Sequence, residues 1–197
     1  EIIRENRLIC IEDGTYSFLN EEPHIPVTAL IPERSVYISS VSNALSPGFR
    51  IAFVYMPPDF TEQMITGNSN INVMAPPLEA EVVSQLIESG TAEKMMKEKK
   101  EELLVRNKIV DAHFHRYHLY GSACAQFRWL LLPRKWTGKK FEQAAKERGV
   151  QVFGSERFVV GKAAVSAAVR LAVSTPKSLE HLEQGACILA GLLKSGV

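Results

Sequence analysis

The chain of 197 residues carries 23 Lys and Arg against 22 Asp and Glu, and 46% of its residues are hydrophobic. This content suits one large or two small domains with a buried core, and a net charge of +1 with mixed signs leaves no basic surface for nucleic acid. No apolar run approaches the roughly 18 residues of a membrane helix and the chain start lacks a signal-peptide pattern, so we expect a cytoplasmic protein.

The first half alternates short apolar runs with proline-containing connections. Residues 8–11, 36–39 and 50–56 are typical of strands buried on both faces, which indicates part of an α/β sheet. The preceding residues look like the end of a helix. Because the chain starts with Glu1 rather than Met, we expect it to be a piece of a longer protein.

Two helices are predicted next. Apolar residues recur at helical spacing after Pro76-Pro77, and Gly90 is a stop signal. A second helix, rich in Lys and Glu, is predicted from about Thr91 to Phe114. The prolines at 57–58 and 76–77 separate elements, and residues 67–72 are predicted to form a loop.

The part beyond Gly121 has the pattern of a small α+β unit. The expected elements are a strand at 127–132, a helix at 137–148, strands at 150–153 and 168–173, and a closing helix at 178–194. Ser178 is a candidate N-cap, and Gly149 and Gly196 are candidate C-caps.

The three cysteines, Cys10, Cys124 and Cys187, are far apart and show no Cys-x-x-Cys spacing. We therefore expect reduced, mostly buried thiols rather than disulfides or structural zinc. A histidine cluster, His113, His115 and His118, lacks an acidic or thiol partner that would complete a ligand set, and we assign no metal.

One run, SVSNALSPGFR at residues 40–50, carries most of the functional information. It resembles the S-x-S-K-x-L-x-P-G-x-R signature of fold-type I pyridoxal 5'-phosphate (PLP) enzymes, whose Lys holds PLP as a Schiff base. Asn43 stands at that Lys position, and an amide nitrogen is not nucleophilic, so we expect transamination to be lost. A Ser-rich strand end with a Pro-Gly turn would explain only part of this pattern.

The family resemblance implies a cofactor-binding set in the first half of the chain. Residues 11–16, IEDGTY, look like the family's strand-end motif, in which Asp13 faces the pyridine nitrogen and Tyr16 the ring hydroxyl. Alone, an Asp and a Tyr after a strand would be a common loop element. Ser40, Ser42 and Arg50 correspond to the family's phosphate-side residues.

A substrate-binding residue is implied in the second half. The run AVRLAV at residues 168–173 resembles the small-domain strand whose Arg grips the substrate carboxylate, which makes Arg170 the candidate. An Arg in an alternating strand is more often a solvent-facing side chain. The run GVQVFG at 149–154 and Phe158, which also resemble family positions, favour the binding role.

Within the superfamily, residues 127–133 (FRWLLLP) and Lys135-Trp136 resemble MocR-type proteins most. These are GntR-family transcription regulators in which an aminotransferase-like effector domain follows a winged helix-turn-helix. A Trp in an apolar strand before a Pro could also be simple core packing.

The resemblance implies an α/β fold in three parts. These are the end of the PLP-binding large domain at residues 1–90, a connecting helix at 91–120 and a small C-terminal α+β domain at 121–197. Because the family's remaining cofactor residues precede this segment, we expect the fragment not to bind PLP, to be inactive and to expose apolar faces. Family members are usually homodimers, and the expected ligand is an amino acid or amine.

Three functions remain open on the sequence. The sequence favours a fragment of a MocR/GntR-type regulator that senses PLP or an amino compound. The alternatives are a fragment of a free-standing class I/II aminotransferase and a dimerisation module with a vestigial pocket. The sequence before Glu1 would separate the first two, and an absorbance band on PLP addition to Asn43→Lys would exclude the third. Asn43 is either natural or engineered.

Overall fold

The computed structural model describes residues 1–20, 22, 24–161 and 165–195. Two compact units divide the chain, Glu1–Lys99 and Lys100–Val197. Each unit has a sheet and helices, which confirms the expected α/β class. The elements of the first unit are α1 (Ile2–Glu5), β1 (Cys10–Asp13), α2 (Val27–Leu30), β2 (Ser35–Ser40), α3 (Val41–Ala44), β3 (Ala52–Tyr55), α4 (Pro58–Asn72), α5 (Pro77–Glu88) and the start of α6 (Thr91–Phe114).

The sheet of the first unit has the order β1-β2-β3. β1 and β2 are parallel, and β3 runs antiparallel to β2. The crossover between β1 and β2 is anchored at α2, where the Glu12 carboxylate accepts hydrogen bonds from the main-chain N–H groups of Val27 and Thr28 and from the Thr28 hydroxyl. A carboxylate at this place satisfies N–H groups that a helix start leaves unpaired.

The strands are less buried than the sequence predicts. All four residues of β3 are exposed, and β1 alternates between half-buried and exposed residues. β3 is an edge strand of a three-stranded sheet, and without a packed layer over it its apolar side chains stay in solvent. The prediction of strands buried on both faces is therefore wrong here, whereas the expectation of exposed apolar faces is confirmed.

Residues 67–72, predicted as a loop, belong to α4 instead. The helix begins at Pro58, a residue favoured in the first helical turn, and none of its 15 residues is buried. The prediction failed because Gly67 and the following Asn and Ser residues have low helix propensity and the segment lacks a buried stripe.

The next two predicted helices are confirmed. α5 ends before Gly90, which has a left-handed φ of +74°, and α6 spans Thr91 to Phe114 as predicted. The core of the first unit joins these helices to the turn around α3. Its buried residues are Val41, Ala44, Leu45, Ile51, Val83 and Ala92.

The second unit contains a four-stranded antiparallel sheet of order β4-β5-β7-β6. Its further elements are β4 (Leu119–Tyr120), β5 (Phe127–Leu131), α7 (Gly138–Glu147), β6 (Phe153–Gly154), β7 (Ala168–Ala172) and α8 (Leu179–Ser195). The helices pack on one face of the sheet, where Leu130, Val169 and Leu171 meet apolar residues of α6, α7 and α8. Alternation along β5 and β7 places Trp129 and Arg170 on the opposite face.

The strand predicted at 150–153 is mostly absent, since only Phe153 and Gly154 pair with β7. The N–H of Val150 instead bonds to the Ala145 carbonyl of α7 at 3.0 Å, which keeps this residue at the helix end. Gly149, with φ of +79°, occupies the predicted C-cap. Ser178 caps α8 as predicted, because its hydroxyl accepts the His181 N–H at 3.3 Å, whereas Gly196 lies outside the described residues.

The cysteines differ from the expectation of mostly buried thiols. Cys124 is buried, Cys10 is half-buried and Cys187 is exposed on the solvent side of α8. None of the three takes part in a disulfide. None of the described helices combines the length and the apolar character that a bilayer crossing needs.

Candidate ligand-binding site

The topology of the first unit brings the predicted cofactor-binding residues to one edge of its sheet. Asp13 ends β1 and is in register with Ile38 of β2, so it lies beside the end of β2 at Ser40. Ser40 pairs with Ala52 of the antiparallel strand β3, which places Arg50 at this edge as well. The carboxyl ends of parallel strands are where ligands bind in open α/β sheets.

Asp13 forms a local turn that keeps its carboxylate ionised. Its Oδ1 accepts hydrogen bonds from the hydroxyl and from the N–H of Thr15, the latter at 3.0 Å. The side-chain bond first, and the main-chain bond second, hold the pKa of Asp13 below its ordinary value against a small opposing effect of burial. An exposed, ionised carboxylate at a strand end can receive a cationic N–H group.

We expect Thr15→Val to raise the pKa of Asp13 toward its ordinary value, because the variant keeps the branched shape but loses the hydroxyl donor. A lowered native pKa contributes stability that is full above the unfolded-state pKa and is lost as pH falls through the native one, so the variant loses that contribution. A carboxyl ¹³C NMR titration measures the change.

Thr28→Val is a matched control for this titration. The Thr28 hydroxyl and N–H both bond to Glu12, and although burial raises the pKa of Glu12, these bonds and the Val27 N–H lower it overall. The control variant should move the Glu12 titration and leave that of Asp13 in place. An unchanged Asp13 pKa in Thr15→Val would show that the hydroxyl bond does not hold the carboxylate ionised.

The serine-rich turn after β2 is ordered by its own polar groups. The Ser40 hydroxyl accepts the N–H of Ser42 at 3.2 Å and donates to the Ile51 carbonyl at 3.4 Å. Ser40 is thus the N-cap of α3, in which Ser42 and Asn43 are half-buried. The hydroxyl of Ser40 is already engaged within the protein, whereas Ser42 presents its side chain without such a bond among the described residues.

Arg50 and Tyr16 are both exposed, and each lies next to a short turn. Arg50 has a left-handed φ of +53° at the end of the turn Pro47–Phe49, a conformation that costs free energy for a residue with a Cβ. Its guanidinium forms no hydrogen bond or ion pair with the described part of the chain. Tyr16 is 43% exposed and precedes the turn Ser17–Leu19.

Arg170 lies on the open face of the second unit's sheet inside a group of three phenylalanines. Its guanidinium carbon is 4.4 Å from the ring centre of Phe127, 4.9 Å from that of Phe158 and 5.3 Å from that of Phe153. Its Nε is buried and has no hydrogen-bond partner among the described residues. The aromatic faces hold the cation while leaving hydrogen-bonding capacity, which suits an anionic ligand.

Several contributors escaped the sequence prediction. Phe127 is distant in sequence from Arg170, and the pairing of β5 with β7 makes the two residues neighbours. Lys99 of α6 donates from Nζ to the main-chain carbonyl of Asn43 at 2.7 Å and to that of Leu45 at 3.4 Å. Lys99 lies in a helix rich in Lys and Glu, and nothing in the local sequence distinguishes it from the neighbouring lysines as a residue of the site.

Two of the three histidines considered as metal ligands, His113 and His115, have other partners. His113 Nε2 lies 2.6 Å from a Glu183 carboxylate oxygen, and His115 Nδ1 donates to the Ala112 carbonyl at 2.9 Å. The described residues contain no group of three His, Cys, Asp or Glu side chains that could hold a metal ion.

The residues at the sheet edge supply some of the groups that a pyridoxal-type ligand needs. The edge offers an ionised carboxylate for a protonated ring nitrogen, and a hydroxyl and a guanidinium for a phosphate. It offers no amine at position 43, so a covalent link from that residue is chemically excluded.

Comparison with known proteins agrees with this geometry. An uncharacterized HTH-type transcriptional regulator of Bacillus subtilis, YdeF, is 38% identical over 193 residues, which cover 98% of this chain and 42% of the regulator. An uncharacterized aminotransferase of Saccharolobus solfataricus is 26% identical over 194 residues, which cover 93% of this chain and 47% of that protein. No protein-family model matches the sequence.

Among solved structures, the kynurenine aminotransferase of Pyrococcus horikoshii superposes with a TM-score of 0.89 at 21% identity, covering 98% of this chain and 50% of the enzyme. The fold is therefore that of the C-terminal part of the fold-type I aminotransferases. Within this class, the chain is homologous both to an HTH-type transcriptional regulator and to aminotransferases. It spans less than half the length of these two curated relatives.

Proposed function

We propose that the chain is part of the aminotransferase-like effector domain of a MocR/GntR-type transcription regulator. The observation that carries this proposal is its 38% identity, over 98% of its length, to an HTH-type regulator. Such a protein would act in the cytoplasm, and its DNA contacts would come from a helix-turn-helix, because the chain itself has a net charge of only +1.

The sheet edge of the first unit would hold a pyridoxal-type cofactor. Asp13 would bind the protonated ring nitrogen, Tyr16 the ring hydroxyl, and Ser40, Ser42 and Arg50 the phosphate side. The Ser40 hydroxyl would exchange its 3.4 Å bond to the Ile51 carbonyl for one to the phosphate. The cofactor supplies an electron-poor ring that can stabilise negative charge on an attached amino compound. With Asn43 at the lysine position, we expect sensing rather than turnover.

Arg170 would bind the carboxylate of the amino compound. We expect Arg170→Met to weaken binding of L-amino acids about 30-fold, since a forked, charge-assisted hydrogen-bond pair is worth roughly 2 kcal/mol. Arg170→Lys keeps the charge but loses the fork, and we expect an intermediate loss. Titration calorimetry of the whole protein with L-amino acids and with their primary amides measures the preference for a carboxylate.

Arg157→Met is the matched control for this loss. Arg157 also stacks on Phe153, at 5.4 Å from the ring centre, but its guanidinium is paired with the Glu142 carboxylate. This variant should keep the preference for acids over amides. If Arg170→Met keeps that preference as well, the carboxylate binds elsewhere.

The regulator function is tested by selecting duplex DNA from a random library with the whole protein that contains this chain. We expect a recurring sequence to be enriched, and its affinity to change when pyridoxal 5'-phosphate, pyridoxamine 5'-phosphate or L-amino acids are added. Absence of any enriched sequence would contradict the proposal.

The second candidate is a free-standing aminotransferase that moves an amino group between an amino acid and a 2-oxo acid. The 26% identity to an uncharacterized aminotransferase over 93% of the chain favours it. Amino-group transfer by the unaltered protein would select this function, although Asn43 argues against it. In either case a homodimer is expected, and the exposed residues of α4 and β3 could contribute to its interface.

A further inference from the structure

We propose that the sheet-edge site, with Asn43 in place of the lysine, prefers the amine form of the cofactor, pyridoxamine 5'-phosphate, over the aldehyde form. The inference rests on the proposed function, because it assumes that the edge holds a pyridoxal-type ligand. It goes further by stating which chemical form the protein detects.

Residue 43 cannot anchor an aldehyde. Condensation needs a primary amine, which adds to the aldehyde carbon and then loses one water to give an imine, and the amide nitrogen of Asn43 does not add. Its half-buried side chain forms no hydrogen bond within the described part of the chain, whereas its main-chain carbonyl is bound by Lys99. The amide is therefore available to a ligand as a neutral donor and acceptor.

No other residue of the sheet or its loops supplies the missing amine. The sequence has no lysine before Lys94, and the lysines of the first unit, Lys94, Lys97 and Lys99, all belong to α6. Lys94 lies 3.9 Å from Glu98, and Lys99 donates to the carbonyls of Asn43 and Leu45. The aldehyde form thus loses the covalent attachment on which its retention depends, and no described side chain of this sheet replaces it.

The amine form can make a stronger hydrogen bond to Asn43 than the aldehyde form can. An ammonium group can donate to the carbonyl oxygen of the Asn43 amide, and hydrogen bonds from charged donors are roughly twice as strong as neutral ones. The aldehyde oxygen can only accept a neutral bond from the amide N–H. The difference in free energy between these two hydrogen bonds corresponds to about tenfold tighter binding of the amine form. A lysine at this position would reverse the preference, because its cation repels the ammonium and its free amine captures the aldehyde.

The test measures binding of pyridoxamine 5'-phosphate and pyridoxal 5'-phosphate to the whole protein by titration calorimetry and by absorbance. For the unaltered protein we expect about tenfold tighter binding of the amine form and no absorbance band of an imine. Asn43→Lys should prefer the aldehyde form and develop that band. Asn43→Asp, which keeps an acceptor, should retain the preference for the amine form, whereas Asn43→Leu should lose it.

The outcomes separate this inference from the proposed function. Equal or tighter binding of the aldehyde form by the unaltered protein overturns the inference, while an imine band in Asn43→Lys would still support the cofactor site. Failure of both ligands to bind any of the proteins, with far-UV circular dichroism unchanged, contradicts the cofactor site and the inference together. If Asn43→Lys does not fold, the comparison of Asn43→Asp with Asn43→Leu decides, since equal affinity of the two for the amine form overturns the inference.

Discussion

Gly138→Ala is expected to destabilise the second unit by about 3 kcal/mol, in the range of substitutions that force backbone shifts in packed regions. Gly138 is the buried first residue of α7, and a Cβ there would lie 2.8 Å from the Ala168 carbonyl oxygen and 2.8 Å from the Ser155 nitrogen. It would also clash with the Glu156 carboxylate. The carboxylate can rotate away, but the two main-chain atoms move only if β7 or the turn at Ser155 moves.

Both tryptophans, Trp129 and Trp136, lie in the second unit, so their fluorescence during urea unfolding reports on this unit alone. Gly185→Ala and Gly191→Ala are the controls. Both glycines lie in α8, where an added Cβ would meet no neighbouring atom within 4 Å. Because Ala has the higher helix propensity, each substitution should raise the free energy of unfolding of the second unit by roughly 0.5–1 kcal/mol. A stability of Gly138→Ala close to that of these controls would contradict the steric argument.

Arg128→Met is expected to cost about 3 kcal/mol of the free energy of unfolding of the same unit. Arg128 is 6% exposed, and its guanidinium donates to the Asn107 side-chain oxygen, to Asp111 and to the Tyr120 carbonyl, at 2.9, 2.9 and 3.2 Å. Methionine fills a similar volume but supplies no donor. The buried oxygen of Asn107 would remain unpaired, and an unpaired buried acceptor is more costly than a lost surface ion pair.

Two further variants show which hydrogen bonds of Arg128 account for the loss of stability. Asp111→Asn should cost less than 1 kcal/mol, because the Asp111 side chain is 50% exposed and exposed ion pairs contribute little. Arg134→Met, at an exposed arginine of the same unit, should be neutral within about 0.5 kcal/mol. Tryptophan fluorescence again follows the unfolding. A loss in Arg128→Met no larger than that in Asp111→Asn would show that the buried part of the network contributes little.

Helices were predictable where an apolar stripe and a stop residue coincide. α6 has its predicted bounds, and α5 and α8 differ by a residue or two, because buried positions at helical spacing and the caps at Gly90 and Ser178 act locally. α4 was missed because it has neither a buried stripe nor favourable propensities. Strand burial was overpredicted, since the covering of β3 depends on what packs over it and not on its own sequence.

For the candidate site, the sequence motifs predicted residues that the fold brings close together. Asp13, Ser40 and Arg50 lie at one sheet edge, as their order along three adjacent strands allows. The family resemblance already linked Phe158 and the run with Phe153 to Arg170, but the contact with Phe127 could not be predicted because it depends on the pairing of β5 with β7. Lys99 could not be predicted either, since its contact with Asn43 joins residues 56 positions apart.

The buried amide of Asn107 also limits how the second unit can misfold. Its nitrogen donates to the carbonyls of Leu103 and Ala125, and its oxygen accepts from Arg128. Sliding α6 along the sheet by one helical turn, about 5.4 Å, would keep an apolar stripe against the sheet but would break the bonds of this amide to Ala125 and Arg128. The polar residues thus make a shifted alignment of the helix unfavourable, which apolar packing alone would tolerate.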